Sequence, residues 1–138
     1  LGSATVICSD KTGTLTQNKM TVQKLFYNNR IIDIDKVDTN KENDELGRLV
    51  YISMLCNDTK IGENKQLTGD PTETALIDMG FKLDFTPAVF DQMPRVEEVP
   101  FDSERKLMTT VNKKNGKYLS SPCSSLVCVA KSTLELGK

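Results

Sequence analysis

An aspartate followed by small polar residues is the first feature of this sequence that could carry chemistry. Asp10 lies two positions after a continuous apolar run at residues 4–8 and precedes the segment KTGT at residues 11–14. A continuous apolar run is typical of a strand buried on both faces of a parallel sheet. Reactive groups gather beyond the carboxyl ends of such strands. A carboxylate there can attack a phosphoryl group and hold it as an acyl phosphate, so the order of residues indicates phosphoryl transfer.

The residues after Asp10 could supply the groups that this reaction requires. Lys11 is a cation beside the incoming phosphoryl oxygens, and the hydroxyls of Thr12 and Thr14 and the backbone N–H groups around Gly13 are possible donors. Because two anions must approach each other, the reaction would also need Mg²⁺. The alternative is a turn in which Asp10 only accepts hydrogen bonds from nearby backbone N–H groups. For the four residues from Asp10 alone, that alternative is the better interpretation.

A longer match favours the chemical interpretation. The segment ICSDKTGTLT (residues 7–16) closely resembles the phosphorylation signature of P-type cation-transporting ATPases. A run of this many fixed positions is far more specific than a glycine-rich pattern. The resemblance implies that Asp10 accepts the phosphoryl group of ATP and that Lys11 contacts the phosphate. It also implies that Asp10 and the backbone carbonyl of Thr12 bind Mg²⁺, and that Thr14 lines the same site.

Thr12 separates this segment from a related class of enzyme. The haloacid-dehalogenase-like phosphatases, which the first strand also resembles, carry a second aspartate two positions after the nucleophile as general acid and base. Thr12 stands at that position here. Without a carboxyl group there, the acyl phosphate should be hydrolysed slowly. A long-lived intermediate suits a transporter better than a phosphatase.

A second segment resembles the nucleotide-binding domain of the same family. TGDPTETAL (residues 68–76) is similar to a motif of the calcium-pump and sodium-pump branches, in which the acidic residue matching Glu73 lies near adenine. The same residues predict a helix start, with Asp70 as the N-cap and Pro71 at the first helical position. Glu73 then stands three residues after the cap, where a glutamate can close the first turn. A capping role and a binding role are both open.

A third segment, VPFDSERKLM (residues 99–108), resembles the part of the family that carries the adenine-stacking aromatic. The resemblance implies that Phe101 stacks on the base and that Lys106 lies near the nucleotide. Ser103 stands where some members have an arginine that contacts the nucleotide. From the residues alone, the alternative is a core phenylalanine at a strand end beside a run of surface charge.

The resemblance weakens after about Tyr118. The family carries a Lys-Gly-Ala-Pro-Glu segment on a strand of its nucleotide domain, and AKSTLE (residues 130–135) keeps only the lysine and the final glutamate. By that resemblance Lys131 is expected to close the adenine pocket. Residues 119–125 are unusually rich in serine, as either a divergent or a frame-shifted tail would be.

Hydrophobic periodicity and turn signals predict the elements that position these residues. An α+β fold is expected: an antiparallel sheet with flanking helices, as the resemblance implies for a P-type ATPase nucleotide-binding domain, preceded by one strand of a haloacid-dehalogenase-like α/β phosphorylation domain. The expected division is residues 1–18 (first strand and phosphorylation loop) and 19–138 (nucleotide domain, incomplete or divergent after about 118). The first predicted elements are a hairpin of strands at 20–26 and 30–34 around Asn28-Asn29, and helices over 44–57, from Asp70 and from Thr86. The helix from Asp70 is expected to bury Ala75, Leu76 and Met79. Strands are predicted at 95–101, at 106–113, from 117 after an Asn115-Gly116 turn, and at 126–130, with loops at 35–45 and 58–69.

Composition excludes several function classes. The 138 residues carry 18 Lys and Arg against 19 Asp and Glu. That balance argues against a nucleic-acid or anionic-membrane partner, because both favour a basic stripe. No apolar run approaches the ~20 residues that span a bilayer. The absence of histidine and the spacing of the four cysteines argue against a zinc site or a serine or cysteine hydrolase, and reduced thiols partly in the core are expected.

The sequence therefore predicts a cytoplasmic portion of an integral membrane pump that hydrolyses ATP to transport a cation. The resemblance to the calcium-pump branch implies that this cation is Ca²⁺. ATP would bind near Glu73, Phe101 and Lys106, with Mg²⁺ as cofactor. The expected partner is the remainder of the pump: the actuator domain, the rest of the phosphorylation domain and the membrane helices. For the isolated chain we expect weak ATP binding without turnover. A non-catalytic nucleotide-binding module and a dehalogenase-like phosphatase stay open as alternatives.

Overall fold

A computed structural model describes Val6, Cys8 and residues 19–38, 44–124 and 127–128. Within these residues the chain forms three α-helices and three antiparallel sheets, two of them two-stranded and one four-stranded. This mixture of helices with antiparallel sheets confirms the predicted α+β class. The elements, in chain order, are β1 (Lys24–Tyr27), β2 (Arg30–Asp33), α1 (Asp44–Leu55), β3 (Lys60–Ile61), β4 (Leu67–Thr68), α2 (Pro71–Lys82), α3 (Ala88–Gln92), β5 (Arg95–Asp102), β6 (Leu107–Lys114), β7 (Lys117–Ser124) and β8 (Val127–Cys128).

The predicted first hairpin is confirmed. Asn28 and Asn29 have φ angles of 50° and 55°, the left-handed conformation that a two-residue hairpin turn requires and that asparagine tolerates. Strand β1 is shorter at its start than the sequence predicts. Asp33 is the last residue of β2 in the ladder. The chain then enters a short 3₁₀ helix at Ile34–Lys36, whose first N–H, that of Ile34, still donates to the carbonyl of Gln23 at 2.9 Å.

The four-stranded sheet has the strand order β5-β6-β7-β8. The Asn115-Gly116 turn between β6 and β7 has positive φ at both residues, as predicted. Residues on β6 alternate between buried and partly exposed, and Met108, Thr110 and Asn112 are the buried ones. This alternation places one face of the sheet against the rest of the fold, beside the end of α1.

Helices α1 and α2 pack against each other over the main core. Val50, Met54 and Ile77 are fully buried there, and Met79 is 2% exposed. The predicted buried face of α2 is correct for Ala75 and Met79, whereas Leu76 is only half-buried. Ile77 was not predicted, because it lies off the single stripe that helical periodicity selects. It is buried because the core beside α2 also includes residues of the first hairpin.

Some predictions differ from the structure or fall outside it. Residues 58–69 were predicted to be a loop, yet they contain the paired strands β3 and β4, which are too short to leave a periodic signal. The short 3₁₀ helix at Ile34–Lys36 likewise begins what was predicted as a polar loop. Val6 and Cys8 are exposed and belong to no strand, and the rest of the predicted first strand lies outside the described residues. Cys56 and Cys123 are buried, which confirms thiols partly in the core.

A glycine allows α1 and α2 to approach closely, and its replacement tests this packing. A Cβ atom at Gly80 would lie 2.4 Å from Sδ and 2.9 Å from Cγ of the buried Met54. We expect Gly80→Ala to lower the free energy of unfolding by about 1–2 kcal/mol, since overpacking exceeds the gain in helix propensity. Gly47→Ala, in α1 with nothing within 4 Å of the new Cβ, should instead raise it by about 0.5–1 kcal/mol. Urea denaturation of both variants measures the difference; equal shifts would contradict the packing argument.

Candidate functional site

A cavity of about 450 Å³ opens between the start of α2, the segment after α1 and the neighbouring ends of β5, β6 and β7. Its lining combines carboxylates with apolar and sulfur-bearing side chains. A mostly apolar cleft with a few convergent polar groups is the usual form of a small-molecule site. The lining residues are Cys56, Asp58, Asp70, Thr72, Glu73, Leu76, Phe101, Met108 and Cys123.

Phe101 borders this cavity and is 54% exposed. The pairing of β5 with β6 shifts register between Val99 and Asp102, so Phe101 lies in an irregular part of the strand. Pro100, which lacks a backbone N–H for the ladder, falls within the same stretch. The sequence alternative of a core phenylalanine is therefore wrong, because over half of this side chain is open to solvent. An aromatic face exposed beside a cavity is available to stack on a planar ligand.

Glu73 reaches the cavity from the first turn of α2. The helix begins as predicted, with Asp70 as the N-cap, whose Oδ1 accepts a hydrogen bond from the N–H of Thr72 at 2.8 Å. The Glu73 carboxylate accepts a hydrogen bond from the backbone N–H of Asp58 at 3.3 Å. This contact joins the segment after α1 to the start of α2. A glutamate that only caps the first turn of its own helix would not make such a contact. Glu73 and Phe101, two of the predicted nucleotide contacts, thus line one cavity.

The electrostatic surroundings of Glu73 favour its neutral form. Burial is the main cause that raises the pKa of Glu73 above its ordinary value, and the carboxylates of Asp58 and Asp70 raise it further. The N–H of Asp58 and the guanidinium of Arg95 act in the opposite direction. Glu73 is therefore a hydrogen-bonding group that takes up a proton more readily than a solvent-exposed glutamate.

Asn57 holds the segment after α1 against the start of α2. Its Nδ2 donates to the backbone carbonyl of Glu73 at 2.9 Å, and its Oδ1 accepts from the N–H of Thr59 at 2.8 Å. Sequence reasoning missed Asn57, Asp58 and Arg95 as site residues. Two polar residues directly after an apolar helix were the available signal for Asn57 and Asp58, but ordinary helix ends show the same pattern.

The other predicted site residues lie elsewhere. Lys106 is exposed in the turn between β5 and β6, has a φ of 55° and is not among the residues that line the cavity. Ser103 is exposed in the same turn. Asp102 shapes this turn, since its Oδ1 accepts hydrogen bonds from the N–H groups of Glu104 and Arg105 at 2.7 and 2.9 Å. The remaining predicted residues lie outside the described part of the chain: Asp10, Lys11, Thr12, Thr14 and Lys131.

The described residues provide no metal site of their own. Among them, no group of three or more Asp, Glu or Cys side chains is arranged to hold a metal ion. The carboxylates that line the cavity therefore do not supply the predicted Mg²⁺ site, which was placed at Asp10 and Thr12. Within the same residues, no helix combines the length and the apolar character that crossing a membrane demands.

Comparison with known proteins identifies the family. Residues 45–131 match the family model described as P-type ATPase, cytoplasmic domain N. The chain belongs to the P-type ATPase family. The resemblance inferred from the motifs is thus confirmed, and the matched range includes Glu73, Phe101, Lys106 and Lys131.

Individual relatives are much longer than this P-type ATPase chain. It is 43% identical to calcium-transporting ATPase 1 of Bacillus cereus over 121 residues, covering 87% of this chain and 13% of the relative. It is 43% identical to calcium-transporting ATPase 1 of Lactococcus lactis over 122 residues, covering 85% of this chain and 13% of the relative. Calcium-transporting ATPase 1 of Saccharomyces cerevisiae is 35% identical to the chain over 126 residues, covering 80% of this chain and 13% of the relative. The chain therefore spans 13% of the length of each of these relatives.

The surroundings of Glu73 lead to a pH-dependence of stability. Because its pKa is raised in the folded state, the folded protein binds more protons than the unfolded chain between about pH 4.5 and the raised value. Glu73 therefore lowers stability as pH rises through that window. We expect the difference in the free energy of unfolding, Glu73→Gln minus the unmodified protein, to increase with pH within this window. Above the raised pKa of Glu73 the difference should stay constant.

Urea denaturation at several pH values between 4 and 8 measures this difference. Glu63→Gln, at an exposed residue outside the cavity, controls for the loss of one negative charge. Parallel pH profiles for Glu73→Gln and the unmodified protein would contradict the assignment of the raised pKa to Glu73.

Proposed function

We propose that this chain is the ATP-binding portion of a cation-transporting P-type ATPase. The parent protein hydrolyses ATP through an aspartyl phosphate at Asp10 and couples this reaction to the transport of a cation. Ca²⁺ is the favoured cation, because relatives named as calcium-transporting ATPases share 43% of aligned residues with the chain. The observation that carries the proposal is the cavity in which the exposed Phe101 and the half-buried Glu73 converge.

The cavity suits an adenine ring. One face of the base stacks on Phe101, its edge packs on Leu76 and Met108, and its exocyclic amino group donates a hydrogen bond to Glu73. Asp58, Asp70 and Glu73 make this cavity acidic, so the triphosphate extends away from it by charge repulsion. The exposed turn that carries Lys106 offers a cation outside the cavity, consistent with the predicted role of Lys106.

In this proposal the phosphoryl transfer belongs to residues 1–18. A carboxylate oxygen of Asp10 attacks the γ-phosphorus, the bond to the β–γ bridging oxygen breaks, and ADP leaves. Lys11 and Thr14 hold the phosphoryl oxygens. Asp10 and the carbonyl of Thr12 would hold Mg²⁺, which would neutralise part of the phosphate charge. Thr12 leaves the acyl phosphate without an adjacent carboxyl group for hydrolysis, so the intermediate persists.

This function requires the rest of the pump. We propose that residues 1–18 join a phosphorylation domain, that residues 19–138 form the nucleotide domain, and that a hinge near Lys19 brings them together. Lys131 closes the adenine pocket in this scheme. The assembly lies on the cytoplasmic side of a membrane, with the actuator domain and membrane helices as partners. Family membership disfavours the dehalogenase-like phosphatase, and a chain that binds nucleotide without turnover is the expectation for this portion alone.

Replacing Phe101 tests nucleotide binding. We expect Phe101→Ala to weaken ATP binding by about 5- to 150-fold, corresponding to the loss of about 1–3 kcal/mol of base stacking. Because this side chain is 54% exposed, the free energy of unfolding should change little. Backbone amide shifts in NMR titrations with ATP measure the dissociation constant. Phe26→Ala, at a residue 65% exposed on the first hairpin and absent from the cavity lining, is the control. No shifts in the unmodified chain at millimolar ATP would refute the proposal.

Asp10 is tested in a full-length version of the protein. With radiolabelled ATP and Mg²⁺, we expect an acid-stable label that hydroxylamine removes, since an acyl phosphate reacts with this nucleophile. Asp10→Asn should abolish the label, while Asp35→Asn, at an exposed aspartate after β2, should retain it. A label that persists in Asp10→Asn would show that phosphorylation occurs at another residue.

A further inference from the structure

We propose that Arg95 is a positioning residue of the nucleotide cavity, and that it sets the placement of Glu73 relative to Phe101. This inference rests on the proposed nucleotide-binding function. Arg95 does not line the cavity, and its side chain is 28% exposed. It acts through the segment that follows α1, which in turn contacts Glu73.

Arg95 binds the end of α1. Its Nη2 donates hydrogen bonds to the backbone carbonyls of Leu55 at 3.2 Å and Asn57 at 2.6 Å. The last carbonyls of a helix have no partner within the helix and carry the negative end of its dipole. A guanidinium that donates to them both satisfies the carbonyls and neutralises part of that charge.

The other arm of the guanidinium binds two carboxylates. Nη1 donates to Oδ1 of Asp58 at 2.7 Å and to Oε2 of Glu98 at 2.6 Å. A planar fork can reach two carbonyls and two carboxylates in different directions, which a single ammonium group cannot reproduce. Arg95 therefore fixes residues 55–58 from both the backbone and the side-chain sides.

The segment that Arg95 fixes is the one that holds Glu73. The N–H of Asp58 donates to the Glu73 carboxylate at 3.3 Å, and the side chain of Asn57 donates to the Glu73 carbonyl at 2.9 Å. Arg95 begins β5, and Phe101 lies near the other end of the same strand. Arg95 thus ties the strand that carries the aromatic to the segment that holds the carboxylate.

Arg95 also changes the charge that Glu73 experiences. The charged groups that face Glu73 are Asp58 and Asp70, which raise its pKa, and Arg95, which lowers it. Loss of Arg95 would remove the opposing cation and leave the Asp58 carboxylate without this partner. Because any loss of this cation raises the pKa of Glu73 through charge alone, Arg95→Lys, which keeps the charge, is needed to test the positioning role.

Two substitutions separate geometry from charge. Arg95→Gln removes the cation and the fork, whereas Arg95→Lys keeps one positive charge but loses the four-way hydrogen bonding. We expect ATP binding at pH 7.5 to weaken by about 5- to 10-fold in both, the lower range of typical coupling between sites. The titration midpoint of the Glu73 carboxyl, followed by carbon-detected NMR, should rise in Arg95→Gln and change less in Arg95→Lys. Glu98→Gln is the matched control, because Glu98 binds Arg95 but not the segment after α1.

The outcomes distinguish this inference from the function on which it rests. If the unmodified chain and both variants bind ATP equally well, the positioning role of Arg95 is overturned, whatever the Glu73 midpoint, and nucleotide binding stands. If the unmodified chain binds no ATP, the proposed function fails and this inference falls with it.

If Arg95→Gln does not fold, Arg95→Lys in a Glu73→Gln background tests whether Arg95 acts through Glu73. Positioning through Glu73 predicts that the loss of affinity caused by Arg95→Lys becomes smaller there, and an undiminished loss would overturn it.

Discussion

The link between the end of α1 and the start of α2 is the constraint on which the candidate site depends. The side chain of Asn57 donates a hydrogen bond to the backbone carbonyl of Glu73, and the N–H of Asp58 donates one to the Glu73 carboxylate. A half-buried carboxylate beside two others is unfavourable in water-poor surroundings unless donors face it. These hydrogen bonds allow Glu73 to stand at the cavity instead of turning outward to solvent.

The rest of the fold supports this link from both sides. The close packing of Gly80 on Met54 brings α1 and α2 together, and residues of both helices share one buried core. On the opposite side, Arg95 ties the first residue of β5 to the same segment. The irregular pairing near Pro100 then leaves Phe101 exposed at the far end of that strand. Helices and sheet therefore meet at the cavity, each contributing one of the predicted base-binding side chains.

Much of the local structure followed from the sequence because its causes are local. The Asn28-Asn29 and Asn115-Gly116 turns form where asparagine and glycine permit positive φ. Helix α2 begins where an aspartate cap precedes a proline. The short pair of β3 and β4 and the burial of Ile77 did not follow, because both depend on neighbours distant in the chain. The same holds for Asn57 and Arg95, whose bonding partners lie up to 40 residues away.

What the sequence by itself determined is the family and the identity of the groups that could do chemistry, because a signature motif is a run of adjacent residue types. It also determined the α+β class, since periodicity and turn chemistry act over a few residues. Only the tertiary structure decided that Glu73 and Phe101, 28 positions apart in the sequence, line one cavity, whereas Lys106 lies in the turn between β5 and β6 and is not among the lining residues. The physical reason is that burial, a shifted pKa and a shared cavity arise from packing between elements, which no single segment encodes.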